Sequence, residues 1–204
     1  MSSQPTTHAP GIDSLIDPAL RDEIGDPLTI LFTAGVVYTP LLLAAAALAL
    51  YWQETLPGPL DSATLGAAAA AGFSLGLGMV AITWVLVRLL PSLRALESEF
   101  RTTLGPLSAR QVLSLALLSG VTEEFFFRGV LQPWLGYWAA SSVFGLVHFV
   151  PHKVYRPWTL FALAAGFMFG ALYEWSGSLL APIVAHVSVN AINLAIIMRA
   201  QKQR

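Results

Sequence analysis

A chain of 204 residues that is 55% hydrophobic and only 11% charged, with a mean hydropathy of +0.65, lies far from the roughly 25% charge of soluble domains. These values exclude an ordinary water-soluble domain and fit a single polytopic membrane domain of about six spans at ~20 residues each. A net charge of −1 gives no electrostatic footing for nucleic acid, and the lack of cysteine excludes a thiol nucleophile, disulfides and thiolate-held metal.

In chain order, residues 1–27 form a polar tail in which Asp13, Asp17, Asp22, Glu23 and Asp26 face Arg21 alone. The tail lacks the basic start and apolar core of a signal peptide. Ile12, Leu15, Ile16, Leu20 and Ile24 recur at roughly helical spacing, which predicts a short helix on the membrane surface, with a frayed tail as the alternative. The membrane domain, residues 28–199, holds six apolar windows: roughly 28–51, 63–87, 108–131, 136–151, 157–174 and 179–199. Residues 200–204 follow as a tail. Gly72-x-x-x-Gly76 in the second window is a small-residue pattern that lets helices approach closely. Between windows two and three, Leu93, Leu96, Phe100 and Leu104 alternate with Arg94, Glu97, Glu99 and Arg101, predicting an interfacial helix that scaffolds the third span or receives substrate. The expected fold is therefore all-α, a bundle of about six transmembrane helices with short interfacial helices.

Basic residues orient that bundle. Arg21, Arg88, Arg94, Arg101, Arg110, Lys153, Arg156, Arg199, Lys202 and Arg204 all fall on one side of a six-span arrangement, and the other connections carry no Lys or Arg. Lys and Arg concentrate in cytoplasmic loops, so both termini are expected in the cytoplasm.

The remaining basic residue, Arg128, stands inside the third window with Glu123 and Glu124. A centrally placed intramembrane charge costs from about 2.5 to above 10 kcal/mol, so such charges are paired, water-exposed or functional. On a helix Glu124 and Arg128 share a face at i, i+4, with Glu first, and Glu123 points about 100° away. One carboxylate can be neutralised while the other stays free. Window four adds Phe144 and His148, and window six adds His186 and Asn190, again at i, i+4. Singly, each His or Asn reads as an interhelical hydrogen bond worth about a kilocalorie. Three windows presenting such groups to one interior favour a site, because each group must find a partner or water.

A Glu with a His can hold and deprotonate water, and a second His with an Asn can donate to a developing oxyanion. Glu123, His148 and His186 can alternatively hold a divalent metal such as zinc that activates the water. Other intramembrane chemistries fit badly: no Asp follows Asp61, and neither Gly-x-Ser-x-Gly nor His-Glu-x-x-His occurs. His148 and His152 stand four apart, but Pro151 between them predicts a loop. Ser188, between His186 and Asn190, is either a nucleophile candidate or a small packing residue.

At these positions the sequence resembles the CPBP family of intramembrane proteases, the CAAX-prenyl-protease and bacteriocin-processing group with its Rce1-type enzymes. The family's motifs Glu-Glu-x-x-x-Arg, Phe-x-x-x-His and His-x-x-x-Asn stand in order as Glu123 to Arg128, Phe144 to His148 and His186 to Asn190, within residues 112–195. The resemblance implies peptide-bond hydrolysis in the membrane. By analogy Glu123 with His148 activates water, His186 with Asn190 stabilises the oxyanion, and Glu124, Arg128 and Phe144 hold the site or orient substrate. Both metal-dependent and glutamate-type mechanisms are described for members. The short chain departs from the larger prenyl-protein enzymes and points to a small prokaryotic type in the plasma membrane, acting on a protein or peptide substrate in or near the bilayer. A non-proteolytic scaffold or immunity protein that keeps the cluster for structure is the alternative. Counting helical rise places Glu123 about 12 Å and His186 about 10 Å from the extracytoplasmic side, and His148 about 18 Å. The expectation is a site in the extracytoplasmic half, with His148 out of line.

Overall fold

The computed structural model describes residues 27–52 and 62–201. The expected surface helix of the amino-terminal tail lies outside them. The described residues form α1 (Pro27–Trp52), α2 (Ser62–Leu89), α3 (Pro91–Leu104), α4 (Ala109–Phe126), a π-helical turn (Phe127–Leu131), α5 (Gln132–Leu135), α6 (Tyr137–Val147), a 3-10 turn (Lys153–Tyr155), α7 (Arg156–Ser176) and α8 (Leu180–Gln201). There is no strand among them, and the chain is an all-α integral membrane protein.

Local chemistry sets the element boundaries. Pro91 opens α3, where its missing N–H costs nothing. Ser108 caps α4 with a capping box, its hydroxyl accepting from the Gln111 N–H while the Gln111 side chain accepts from the Ser108 N–H. Gly136, at φ 80°, turns the chain between α5 and α6 in a conformation that side chains disfavour. Between α4 and α5 the helix continues without a stop through the π turn.

The contacts fix the direction of each helix. Tyr38 meets Glu123 and Ile30 packs near Leu107 and Val112, so α1 and α4 run in parallel. Gly72 faces Ala181 and Gly76 faces Ala185 and Ser188, so α2 and α8 also run in parallel. Ser119 meets Asn190 and Glu124 meets His186, which makes α8 antiparallel to α4. Gly145 lies on Leu163 and Gly166 on Ser141, so α6 and α7 are antiparallel. A side chain added at Gly72 or Gly76 would overlap the α8 backbone or crowd Ser188, so this stripe is a packing seam, and Ser188 belongs to it.

Six segments therefore alternate in direction, but the count of about six spans needs correction. Among the described residues three helices are long and apolar enough to cross a membrane, at Thr29–Tyr51, Ala63–Leu89 and Leu180–Arg199. A fourth is counted if α3 and the helix of residues 109–135, bent by 107° from each other, form one span. The reason lies in windows four and five. The α6 helix has 11 residues, about 16 Å of rise against ~30 Å of hydrocarbon, and α7 carries Arg156 and Glu174 near its ends.

Arg88, Arg94, Arg101, Arg110, Lys153, Arg156 and Arg199 gather where α2, α6 and α8 end and α4 and α7 begin. The opposite end carries the exposed Trp134, Trp138 and Trp175, aromatic residues of the kind that sit at a membrane boundary. At the basic end α3 buries Leu96 and sets Phe100 edge-on against Tyr155 and Trp158.

Candidate active site

Glu123 and Glu124 follow each other on α4, so the helical period sends them to different neighbours. Glu124 is wholly buried and pairs with Arg128, whose Nε lies 3.1 Å from its Oε2. Its Oε1 lies 2.8 Å from Nδ1 of His186 on α8. Arg128, also buried, donates from Nη2 to the Gly166 carbonyl of α7 at 2.7 Å, and its guanidinium carbon lies 4.5 Å from the Phe144 ring centre. Four residues on, Gln132 donates from Nε2 to the Gly170 carbonyl at 3.0 Å. Two side chains one turn apart thus bond two carbonyls one turn apart on the neighbouring helix.

Glu123 faces elsewhere. Its Oε2 lies 3.5 Å from Nε2 of His148, and its Oε1 accepts a 2.9 Å hydrogen bond from the Tyr38 hydroxyl of α1. Nδ1 of His148 is 2.7 Å from the Phe144 carbonyl. A carbonyl only accepts, so Nδ1 carries a proton, and in the neutral ring Nε2 is an acceptor. Glu123 Oε2 and His148 Nε2 thus form a pair of acceptors side by side, a place where one water can donate to both. The His148 ring lies 4.8 Å from that of Phe144, tilted by 36°, and stands edge-on to Trp158 at 5.3 Å.

His186 stacks on Phe169 with 5.1 Å between ring centres. Asn190, half-buried, donates from Nδ2 to the Ser119 hydroxyl at 2.9 Å. The structure therefore brings Glu123 to His148, Glu124 to Arg128 and His186, and Asn190 to Ser119, with Phe144 packed between the Arg128 and His148 groups.

The proposed metal set is not assembled. Among the described residues no group of three or more His, Asp or Glu side chains could hold a metal ion. Glu123 and His148 stand at the spacing of two ligands, but His186 is turned to Glu124, and a catalytic zinc needs three protein ligands. His152, for its part, caps the 3-10 turn by accepting from the Val154 N–H and is far in role from His148.

The depth of the site also departs from expectation. Because the helix runs on through Leu135, Glu123 lies about 18 Å from that end, and His148 lies the same ~18 Å from Gly136. The two are level. His148 sits near the start of α7, where Thr159 donates to its carbonyl at 3.2 Å, and Trp158 connects it to Phe100 of α3 at 5.6 Å. The His148 side of the site thus faces the basic end and not the Trp-rich end.

Two partners escape sequence reasoning. Tyr38 is one polar group in an apolar helix, 85 residues from Glu123. Ser119 lies on α4 one turn before Glu123, a spacing that could have flagged it.

The family model described as Type II CAAX prenyl endopeptidase Rce1-like matches residues 105–192. Uncharacterized protein YpbD of Bacillus subtilis is 39% identical over 87 residues, covering 42% of this chain and 44% of that protein. The match therefore spans less than half the length of that relative. No solved structure matches. Residues 105–192, which hold Glu123, Glu124, Arg128, His148, His186 and Asn190, are thus similar to the Rce1-like family model.

Proposed function

We propose that the protein is an intramembrane endopeptidase that hydrolyses a peptide bond of a membrane-associated or secreted protein. The observation that carries this reading is the Glu123–His148 pair, 3.5 Å apart, beside a second carboxylate already bound by Arg128 and His186. A water placed between Glu123 Oε2 and His148 Nε2 gives its proton to Glu123 as its oxygen attacks the scissile carbonyl. The tetrahedral oxyanion is met by His186, donating from Nε2 when doubly protonated with Glu124 as counter-ion, and by the second amide hydrogen of Asn190. Collapse breaks the C–N bond, and the proton on Glu123 passes to the leaving amine. Glu124, Arg128 and Phe144 hold the frame. The chemistry needs no group beyond these side chains and water.

The matching family model is that of Type II CAAX prenyl endopeptidases; the reading for this chain is a prokaryotic plasma-membrane enzyme with both termini cytoplasmic. The full burial of Glu124 and Arg128 also suits a scaffold or immunity protein that needs the cluster for folding alone. Co-expression with membrane and secreted proteins encoded beside it separates the two. Processing is expected for the wild type and lost in Glu123→Ala and in His148→Ala. Processing that persists in both variants would refute the protease reading.

A further inference from the structure

Carboxylate oxygens in a membrane interior are equivalent until something distinguishes them. In Glu123 that something comes from outside the Rce1-like segment. The α1 helix is largely exposed, with Phe32, Val36, Val37 and Leu43 turned outward, and a tyrosine in such a helix must find a partner for its hydroxyl. Tyr38 finds the Oε1 of Glu123 at 2.9 Å. The other oxygen, Oε2, is buried with no hydrogen-bond donor of its own and stands beside His148.

The third motif keeps to other partners: Asn190 donates to the Ser119 hydroxyl at 2.9 Å, and Ser119 donates to the Ala116 carbonyl of α4 at 3.4 Å. Among the described residues, the donor hydrogen-bonded to Glu123 is Tyr38.

We infer that Tyr38 is a positioning residue for Glu123: its hydroxyl occupies Oε1, so that Oε2 is the single oxygen offered to water beside His148. The inference rests on the protease reading and adds α1 to the site. Without α1, Glu123 can rotate either oxygen toward His148 or away from it, and the base loses its fixed orientation.

The test uses the full-length protein in lipid nanodiscs and infrared difference spectroscopy, which needs no substrate. Glu123→Gln identifies the Glu123 carboxyl band by its disappearance. In Tyr38→Phe the Glu123 carboxyl band is expected to move, as for a carboxyl group that has lost a hydrogen-bond donor. Fluorotyrosine at position 38 keeps the ring and its packing, and is expected to move the band as well. With a processed substrate in hand, Tyr38→Phe is expected to lower kcat about tenfold or more, the size of a lost hydrogen bond to a charged group, with KM unchanged. A Glu123 band identical in wild type, Tyr38→Phe and the fluorotyrosine protein overturns the inference. So does full kcat in Tyr38→Phe when Glu123→Gln is inactive. Activity retained in Glu123→Gln would instead defeat the protease reading and leave the band measurement to judge Tyr38 alone.

Discussion

Glu123 and Glu124 are neighbours of one residue type, yet the bundle gives them opposite surroundings. Glu124 sits at 0% exposure between Arg128 and His186. Removing one partner of a buried pair leaves an uncompensated charge and costs about 3–5 kcal/mol. Arg128→Ala is therefore expected to destabilise the protein by that amount in denaturant unfolding in micelles, and Glu124→Ala by a similar amount. Glu123→Gln keeps the Tyr38 contact through its amide oxygen, so its unfolding midpoint is expected to stay near that of the wild type. Its turnover is expected to fall by at least about a hundredfold, the usual share of a general base. The variants thus separate a residue that holds the fold from one that acts in it. Because His186 is engaged by Glu124 and leaves only two donors beside the water position, a chelator is expected to leave processing unchanged, a result checked by activity after dialysis against it.

At the scale of elements, the close approach of α2 and α8 is the feature most sensitive to volume. Gly72 and Gly76 leave no room for a side chain against Ala181 and Ala185, and overpacking costs about 1–3 kcal/mol. Gly72→Leu is expected to lower stability by at least that much, while Gly66→Leu, which meets open space, is expected to be neutral. Thermal unfolding of the two variants compares them directly. The glycine spacing made this seam legible in the sequence, as the 3.6 period made the Glu124–Arg128 pair legible. Other elements were hidden for physical reasons. The π turn leaves no mark in apolar periodicity, since Phe127 to Leu131 are buried on every side. The shortness of α6 was masked because Phe149 and Val150 extend its apolar run past the end of the helix at Val147. Tyr38 was hidden because a contact between distant helices has no local signature.

For the whole molecule, basic residues at one end and Trp134, Trp138 and Trp175 at the other define an axis, and the cysteine-free background allows it to be mapped. Single cysteines placed at Ser92 and Lys153 are expected to react with an impermeant reagent only from the cytoplasmic face, and one at Ser176 only from the opposite face. Labelling of all three from one side would contradict the arrangement. The same axis puts the His148 side of the site within reach of α3 through Trp158 and Phe100. The π turn has a further consequence at this scale. An i to i+5 turn accommodates one residue more than an α turn, so the count of residues between Glu124 and Gln132 is itself part of the design. Deleting one residue there would let the helix close to regular pitch with its flanking turns still in phase, whereas inserting a further one would exceed what the π turn absorbs and rotate all that follows by about 100°. Gln132 would then leave the Gly170 carbonyl, and the α6–α7 pair would swing as a block, carrying His148 away from Glu123. The site is thus encoded in the length of an unbroken helix as much as in its charged residues, and a one-residue insertion far from any loop would disable it with every motif intact.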